Sequence, residues 1–392
     1  MIRLSSRVPP HGDVNALSRR LESMRSAGVP YIDLTESNPT RVGLPYPPHL
    51  LDALSHPGGL LYQPAPFGLS AAREAIAADG LRRGARIDPA DVVLTASTSE
   101  SYSWLFRLLC DSGDAVLVPQ PSYPLFEHLT RLDSVHALAY GLEYHGRWSI
   151  DFSRIVDAPA EVRALLVVSP NNPTGSYLSR ADRDRLIAIC AERGWALIVD
   201  EVFADYPLDA DSPLTDIAVD ADVLCFSLGG ASKALGLPQV KLGWIVVGGP
   251  RADRHAARAA LEIIADTFLS VSTPVQLAAP ALLREGGVVR AAIQARISSN
   301  VNRARSLVGD HSACELLRTE GGWSTTIRIP AIQSEEQFVL QVLERERVLV
   351  HPGYFFDFPR EAYIVVSLLP AEDTFADGCA RVLRHTQVDG GP

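Results

Sequence analysis

The chain has 392 residues, of which 47% are hydrophobic and 21% are charged, a balance that is typical of a folded globular protein and excludes a disordered one. The formal net charge of −10, without a basic run, disfavours nucleic acid as a partner. The apolar runs fall short of the ~18 residues of a membrane span, and residues 1–13 show no apolar signal segment. We therefore expect a cytoplasmic protein of about two to three domains.

An N-terminal helix is predicted over Val14–Ser26, and helices alternate with short apolar strands from residue 91 onwards. The predicted strands are Asp91–Ser97, Ala115–Pro119, Ser134–Tyr140, Ala164–Ser169, Trp195–Asp200, Asp222–Ser227 and Leu242–Val247. Their runs are continuously apolar, as expected for a sheet covered on both faces. Helices Glu100–Cys110 and Arg180–Arg193 lie between them. The pattern predicts an α/β fold with a mostly parallel seven-stranded sheet.

A smaller α+β domain is predicted after a helical region over Arg251–Leu307. Its predicted strands are Glu315–Arg318, Trp323–Ile329, Val348–His351 and Tyr363–Ser367, and its helices are Glu335–Glu346 and Glu372–His385. We divide the chain into an N-terminal arm and part of the small domain (1–44), a large domain (45–285), and an interdomain helix with the small C-terminal domain (286–392). A ligand site is expected between the domains, at the carboxyl ends of the parallel strands.

Two features of the composition concern reactive side chains. The five cysteines are scattered without a Cys-x-x-Cys pair, which indicates buried thiols in a reducing compartment. Only two of the 36 basic residues are lysine, Lys233 and Lys241. An ammonium group can become a nucleophilic amine, whereas a guanidinium cannot lose its proton near neutral pH. The two lysines are therefore candidates for amine chemistry, or they simply escaped a bias towards arginine.

Polar residues follow three successive predicted strands. Asn172 lies in SPNNPTG, Asp200 in DEVF and Lys233 in SLGGASKALGL. Taken singly, an Asn-Pro pair is a common turn, and an aspartate at a strand end is often a helix N-cap. Taken together, an amide, an acid and a lysine at neighbouring strand ends converge on one cleft.

With these motifs in this order, the chain resembles the class I/II aminotransferases, which are fold type I pyridoxal-phosphate-dependent enzymes. The resemblance runs from DLTESNPT (residues 33–40) to YIVVSLLP (residues 363–370). It implies a pyridoxal 5′-phosphate cofactor and a homodimer that acts on small molecules in amino acid metabolism.

The resemblance also implies roles around the cofactor ring. Lys233 matches the Schiff-base lysine, whose amine also moves the substrate proton. Asp200 matches the acid that pairs with the ring nitrogen, so that the ring accepts electrons. Asn172 matches the amide that donates to the ring 3-oxygen, and Tyr123 matches the aromatic residue that stacks on the ring. The alternative for Tyr123 is core packing.

A phosphate needs backbone amides at a helix N-terminus together with hydroxyl groups and a cation. By the resemblance, the residues that bind the phosphate are Ser97, Thr98, Ser99, Ser232, Lys241 and, from the neighbouring subunit, Tyr62. In the family, glycine is more usual at position 97, and arginine is more usual at position 241. Lys241 can still balance the phosphate charge, but as a point cation and not with the two parallel hydrogen bonds of a guanidinium.

Three residues depart from the family pattern. Phe203 stands where tyrosine is usual, so one hydrogen bond to the ring 3-oxygen is lost and we expect a higher pKa for the Schiff base. Gly230 replaces a serine that usually binds the phosphate. Val365 stands where an arginine usually binds the substrate carboxylate. We therefore expect Arg41, beside Ser37 and Asn38 in a substrate-facing loop, to take over that role; Arg360 is a second candidate, and surface exposure is the alternative for both.

These features predict an aminotransferase that passes an amino group from a small amino acid or amine to a 2-oxo acid by a ping-pong mechanism. A lyase, a decarboxylase or a racemase on the same fold is the alternative, because fold does not determine reaction type. A non-enzymatic cofactor-binding protein is a third interpretation, and the retention of Lys233, Asp200, Asn172 and Tyr123 argues against it.

Overall fold

The structure is a computed structural model that describes residues 2, 4–9, 15–209, 215–309 and 313–388. In these ranges the strands are β1 Ile32–Asp33, β2 Val92–Thr95, β3 Ala115–Gln120, β4 His136–Tyr144, β5 Trp148–Ile150, β6 Val162–Val168, β7 Ala196–Asp200, β8 Cys225–Gly230, β9 Gly243–Gly248, β10 Glu315–Leu316, β11 Ser324–Arg328, β12 Val348–Leu349, β13 His351–Pro352 and β14 Tyr363–Ser367. The α-helices are α1 Ala16–Ser26, α2 Ser70–Gly80, α3 Thr98–Leu109, α4 Phe126–Leu132, α5 Ser153–Val156, α6 Arg180–Arg193, α7 Ala231–Ala234, α8 Arg251–Phe268, α9 Thr273–Glu285, α10 Gly287–Val308, α11 Glu335–Gln341 and α12 Glu372–Val388.

The large sheet has the strand order β2-β9-β8-β7-β6-β3-β4-β5. Six strands run in one direction, while β9 and β5 run against their neighbours. All seven predicted strands are present, so the mostly parallel α/β sheet is confirmed. The eighth strand, β5, was not predicted. It forms a hairpin with β4, which extends to Tyr144 and is longer than predicted.

One predicted strand lies three residues further along the chain. The segment predicted over Asp222–Ser227 instead spans Cys225–Gly230. The reason is that Gly229 and Gly230 pair with Trp244 and Gly243 of the antiparallel neighbour β9. These pairs extend the strand although glycine has a low strand propensity.

Both faces of the large sheet are covered, as the continuous apolar runs predicted. Val116 and Ile198 point to the face that packs against α3 and α8, while Leu117 and Val199 point to the opposite face, against α6. Alternate residues of one strand therefore enter different layers, and both layers are apolar.

A second, smaller sheet is antiparallel, with the order β10-β11-β14-β13. The segment predicted as one strand over Val348–His351 is divided, because β12 pairs with β1 whereas β13 pairs with β14. Helix α1 begins after Asn15, whose Oδ1 accepts from the Ser18 backbone N–H at 2.7 Å, and the predicted start at Val14 lies outside the described residues. A 2.9 Å ion pair from Arg20 to Glu344 connects α1 to the turn after α11. The proposed domain boundaries remain predictions.

None of the five cysteines forms a disulfide. The predicted burial is confirmed for four of them and is wrong for Cys110, which is half-buried. In the described ranges, no helix is both long enough and apolar enough to cross a membrane.

Candidate active site

The cleft residues lie at the ends of three adjacent strands of the large sheet. Asn172 follows β6, Asp200 ends β7, and Lys233 follows β8 in the short helix α7. In the register of the sheet, Asp200 pairs with Val168 of β6 and with Leu228 of β8. Parallel neighbours end at the same edge of the sheet, so the three polar residues share that edge.

The Lys233 amine lies among aromatic rings. Its Nζ is 4.8 Å from the ring centroid of Trp323 and 5.4 Å from that of Phe203. No hydrogen bond to Nζ is formed by any residue that the structure describes. Burial lowers the pKa of the Lys233 amine to about 8, although the Asp200 carboxylate favours the charged form. At pH 7 about a tenth of this lysine is therefore a neutral, nucleophilic amine, far more than for a lysine with the usual pKa.

The Asp200 carboxylate is buried and held by two donors. The Tyr102 hydroxyl donates to Oδ2 at 2.6 Å, and the Val202 backbone N–H donates to Oδ1 at 3.0 Å. Desolvation raises the pKa of Asp200, whereas these two hydrogen bonds and the charge of Lys233 oppose the rise. The carboxylate is thus fixed in orientation and has acceptor capacity left for a protonated ring nitrogen.

The two neighbouring asparagines have different environments. Asn171 is buried, and its Nδ2 donates to Thr174 Oγ1 at 2.9 Å and to the Pro121 carbonyl at 3.1 Å. Asn172 is half-buried, and its Oδ1 accepts from Ser324 Oγ at 3.3 Å. Among the described residues its Nδ2 has no acceptor, so this amide is free to donate to an oxygen in the cleft.

The candidate phosphate site is the N-terminus of helix α3. Ser97 is the N-cap, and its Oγ accepts from the Glu100 backbone N–H at 3.2 Å. Glu100 Oε2 in turn accepts from the Ala96 backbone N–H at 2.6 Å. The backbone N–H groups of Thr98 and Ser99 lie in the first turn of the helix, where no carbonyl of the helix can accept from them. They are therefore available to an anion.

Two other segments approach this helix N-terminus. A Cβ atom at Gly230 would lie 4.0 Å from Thr98 Cγ2, and one at Gly243 would lie 3.0 Å from the carbonyl carbon of Ser97. Ser232 follows Gly230 in α7 and is half-buried. Lys241, two residues before Gly243, is exposed and has a φ of 57°. The backbone at Gly230 and at Gly243 therefore lies beside the N-terminus of α3. The binding of phosphate by Ser232 and Lys241 stays a prediction.

The donor set fits pyridoxal phosphate. Lys233 Nζ and Asn172 Nδ2 form no hydrogen bond in the described part of the chain, and they follow β8 and β6, the two neighbours of the strand that ends at Asp200. Lys233 would meet the cofactor's aldehyde, and Asn172 would meet its ring oxygen. Asp200 would meet the ring nitrogen, and the N-terminus of α3 would meet the phosphate.

Two predicted cofactor residues, Tyr123 and Tyr62, form no hydrogen bond or cation–π contact with Lys233 in the described part of the chain. Tyr123 is 51% exposed, in a loop connected to Asn171 by a 3.2 Å hydrogen bond from Ser122 Oγ. It lines a surface cavity of about 780 Å³ that does not include Lys233. Tyr62 is 72% exposed.

The departures from the family pattern have clear structural correlates. Phe203 packs edge-on against Trp323, with centroids 5.4 Å apart. The nearby Tyr206 does not replace the missing hydroxyl, because its own hydroxyl donates to the Lys233 carbonyl at 2.6 Å. Val365 is 2% exposed and packs in an apolar cluster that includes Phe356 and Phe358. Position 365 is therefore filled by hydrophobic packing and cannot bind a carboxylate.

The predicted substrate-binding residues Ser37, Asn38 and Arg41 lie in one loop beside the smaller sheet. Asn38 Oδ1 caps a short 3-10 turn by accepting from the Thr40 backbone N–H at 3.0 Å. The Ser37 and Arg41 side chains are exposed. The Arg41 guanidinium has no ion pair or hydrogen bond to the described residues, so it is free to bind an anion.

Sequence reasoning missed two residues of the site, Tyr102 and Trp323. Tyr102 falls within an apolar helix stripe and was indistinguishable there from a core residue. Its position four residues after Thr98, and so on the same helix face, was the one available signal. Trp323 follows Gly321 and Gly322, and nothing in the sequence connects it with Lys233, which is 90 residues earlier.

Comparisons with known proteins agree with this geometry. The family model described as aminotransferase class I and II matches residues 30–374. The glutamate-pyruvate aminotransferase AlaA of Escherichia coli is 28% identical over 315 residues, which cover 78% of each chain. The alanine aminotransferase of Mycobacterium tuberculosis is 25% identical, covering 92% of this chain and 85% of the relative. The structure of an alanine aminotransferase from Pyrococcus furiosus superposes with a TM-score of 0.88 at 22% identity, over 98% of this chain and 100% of that one, which shows a common fold.

Proposed function

The chain belongs to the class I and II aminotransferases, and from that premise we propose that its reaction is centred on Lys233. The enzyme is an aminotransferase with pyridoxal phosphate as its cofactor. We infer that it transfers an amino group from a small amino acid or amine to a 2-oxo acid in two half-reactions. The observation that carries this proposal is the lowered pKa of the Lys233 amine, about 8, beside the Asp200 carboxylate.

When bound, pyridoxal phosphate supplies an aldehyde that exchanges amines and a ring that accepts the electron pair of the broken Cα–H bond. Lys233 Nζ, as a neutral amine, would take the proton from the substrate Cα and deliver it to the carbon that the cofactor's aldehyde contributes. Asp200 would hold the proton of the ring nitrogen. Asn172 Nδ2 would donate to the ring oxygen, and the N–H groups of Thr98 and Ser99 would bind the phosphate.

The rings of Phe203 and Trp323 limit the access of water to Lys233 Nζ. A dry environment maintains the neutral amine and strengthens each electrostatic contact in the cleft. Because Phe203 has no hydroxyl, Asn172 is the remaining donor to the ring oxygen among the residues assigned here.

The substrate class is part of the proposal. The names of the relatives, glutamate-pyruvate and alanine aminotransferase, favour a small amino donor and a 2-oxo acid acceptor. Since Val365 cannot bind a carboxylate, Arg41 is assigned to the substrate carboxylate. Five cysteines without a disulfide fit a cytoplasmic enzyme, where thiols remain reduced.

A half-reaction tests the proposed function. Alanine or glutamate is added to the holoenzyme without an acceptor, and we expect one equivalent of 2-oxo acid together with the amine form of the cofactor. Lys233→Ala should yield neither at a comparable rate, with a loss of about 10³-fold or more. The replacement of arginine by Val365 favours a lyase or decarboxylase as a second candidate. Release of ammonia or carbon dioxide with the aldehyde form regenerated would establish that candidate instead.

We also propose that the active unit is a homodimer in which Tyr62 reaches the phosphate of the partner subunit. Leu60, Leu61 and Tyr62 are consecutive exposed side chains, with exposures of 96%, 60% and 72%, which fits a surface that a second copy covers. Mixing Tyr62→Ala chains with Lys233→Ala chains should restore about a quarter of the wild-type activity, because half of the random dimers then contain one intact site. No recovery after exchange of subunits would contradict this arrangement.

A further inference from the structure

The hydrogen bond from Tyr102 to Asp200 involves two buried groups. Tyr102 is 2% exposed and Asp200 is 8% exposed, so water has little access to either. The oxygens are 2.6 Å apart, which is typical of a charge-assisted bond between a hydroxyl and a carboxylate. Burial and the neighbouring carboxylate raise the pKa of Tyr102, so its hydroxyl remains a donor throughout the physiological range.

The surroundings of Asp200 make this donor important. The carboxylate has one other hydrogen-bond donor among the described residues, the Val202 backbone N–H on Oδ1. The other charged group that acts on it is the Lys233 amine. Without the tyrosine hydroxyl, Oδ2 would be buried with no donor of its own, and the ionised form would be harder to maintain.

The Tyr102 ring is held rigidly in helix α3. It stacks on Phe106, with centroids 6.1 Å apart, and meets Phe126 edge-on at 5.4 Å. Tyr102 lies four residues after Thr98, one turn further along the same helix face. Helix α3 therefore presents N–H groups to the phosphate from its first turn and the tyrosine hydroxyl to Asp200 from its second.

We propose that Tyr102 is a positioning residue, which through its hydrogen bond to Asp200 fixes the carboxylate that meets the ring nitrogen, so that helix α3 positions both ends of the cofactor. The inference rests on the proposed function, in which Asp200 contacts that nitrogen. Tyr102 itself touches neither substrate nor cofactor in this scheme. Its contribution is to keep Asp200 ionised and correctly oriented.

The test compares two cofactors on the full-length apoenzyme. One is pyridoxal phosphate, and the other is its ring-carbon analogue, in which a C–H group replaces the ring nitrogen. The ratio of the two dissociation constants isolates the contact with Asp200, because the phosphate and aldehyde are the same in both. Wild type should prefer pyridoxal phosphate. Tyr102→Phe should reduce that preference about tenfold, the loss expected for one charge-assisted hydrogen bond.

Two control variants define the largest and the smallest preference that is expected. Tyr140→Phe removes the hydroxyl of another buried tyrosine, which donates to the Leu166 carbonyl at 2.8 Å, and it should leave the ratio unchanged. Asp200→Asn should abolish the preference. Should Tyr102→Phe not yield folded protein, Tyr102→Met fills the space with a flexible apolar chain and must give the same reduced ratio.

The outcomes separate this inference from the function on which it rests. A Tyr102→Phe enzyme that retains the full preference, while Asp200→Asn loses it, overturns the role of Tyr102 and leaves that of Asp200 intact. A wild-type enzyme without any preference overturns the assignment of Asp200, and the role of Tyr102 with it. Equal weakening of both cofactors by Tyr102→Phe shows a merely structural role and also overturns the inference.

Discussion

The indole ring of Trp323 lies 4.8 Å from Lys233 Nζ, although the two residues are 90 positions apart in the chain. Desolvation by the surrounding side chains lowers the pKa of this amine, although the charge of Asp200 acts in the opposite direction. Burial among the rings of Phe203 and Trp323 thus increases the fraction of Lys233 that is a neutral, nucleophilic amine.

The first prediction concerns the pH dependence of cofactor capture. The pKa of Lys233 is lowered from the usual 10.5 to about 8, so the neutral amine forms as the pH rises through about 8. The rate at which the apoenzyme binds pyridoxal phosphate covalently should rise with pH through this value and then level off, as measured by stopped-flow absorbance. Lys233→Ala is the control without an amine. A midpoint near the usual lysine value would contradict the enclosed environment.

The second prediction concerns Val365→Arg, which introduces arginine at the position usual in the family. Because Val365 is buried in an apolar cluster with Phe356 and Phe358, the new guanidinium would be buried without a partner. We expect a loss of about 3 kcal/mol in the free energy of unfolding and no gain in affinity for a 2-oxo acid. Denaturant unfolding and KM measure these effects. A stable variant with a KM about tenfold lower would show that position 365 faces an open cleft.

The third prediction concerns Arg41→Gln. If Arg41 binds the substrate carboxylate, removing its charge should raise KM about tenfold for an amino acid and leave an amine without a carboxylate unaffected. Arg251→Gln, at an exposed arginine that begins α8, provides the matched change of charge. Steady-state kinetics with both substrates checks the difference. Equal KM values for Arg41→Gln and wild type would exclude Arg41 from this role.

The fourth prediction concerns Glu201, the buried neighbour of Asp200. Its Oε1 has no hydrogen-bond partner among the described residues. Desolvation and the charge of Asp216 raise the pKa of Glu201 to about 8, although Arg83 acts in the opposite direction. The folded protein therefore favours the protonated acid, and its stability decreases as the pH rises from the ordinary glutamate range through about 8.

Glu201→Gln replaces that acid by a neutral side chain of the same shape. We expect the variant to be more stable than wild type by about 1–2 kcal/mol at pH 8, with a smaller difference at pH 5. Thermal unfolding at the two pH values measures it. Glu143→Gln, at an exposed position, should show no such dependence. A Glu201→Gln variant that is less stable at pH 8 would mean that the native protein needs the carboxylate.

The sequence predicted those parts of the site that local patterns determine. Asn172, Asp200 and Lys233 each follow an apolar strand, and a parallel sheet brings such ends together. The contacts made around them depend on long-range packing. Ser324 meets Asn172 across 152 positions, and Tyr102 meets Asp200 across 98, and no periodicity encodes either distance.

In the fold, too, local patterns predicted some features, while others depend on long-range packing. Apolar runs predicted the seven strands, since buried strands need apolar residues on both faces. The separation of Val348–Leu349 from His351–Pro352 depends on which strands they pair with, β1 in one case and β14 in the other. Pairing partners of this kind are chosen by tertiary structure, so a short apolar segment alone predicts one strand.

The position of β9 between β2 and β8 has a consequence for the synthesis of the enzyme. Strand β2 directly precedes the helix that carries Thr98, and within the described residues it pairs with a single strand, β9, which ends at Gly248. A nascent chain shorter than this lacks the strand that brings the N-terminus of α3 to the lysine. We therefore expect a chain that is truncated before Gly243 to bind no cofactor and to remain colourless.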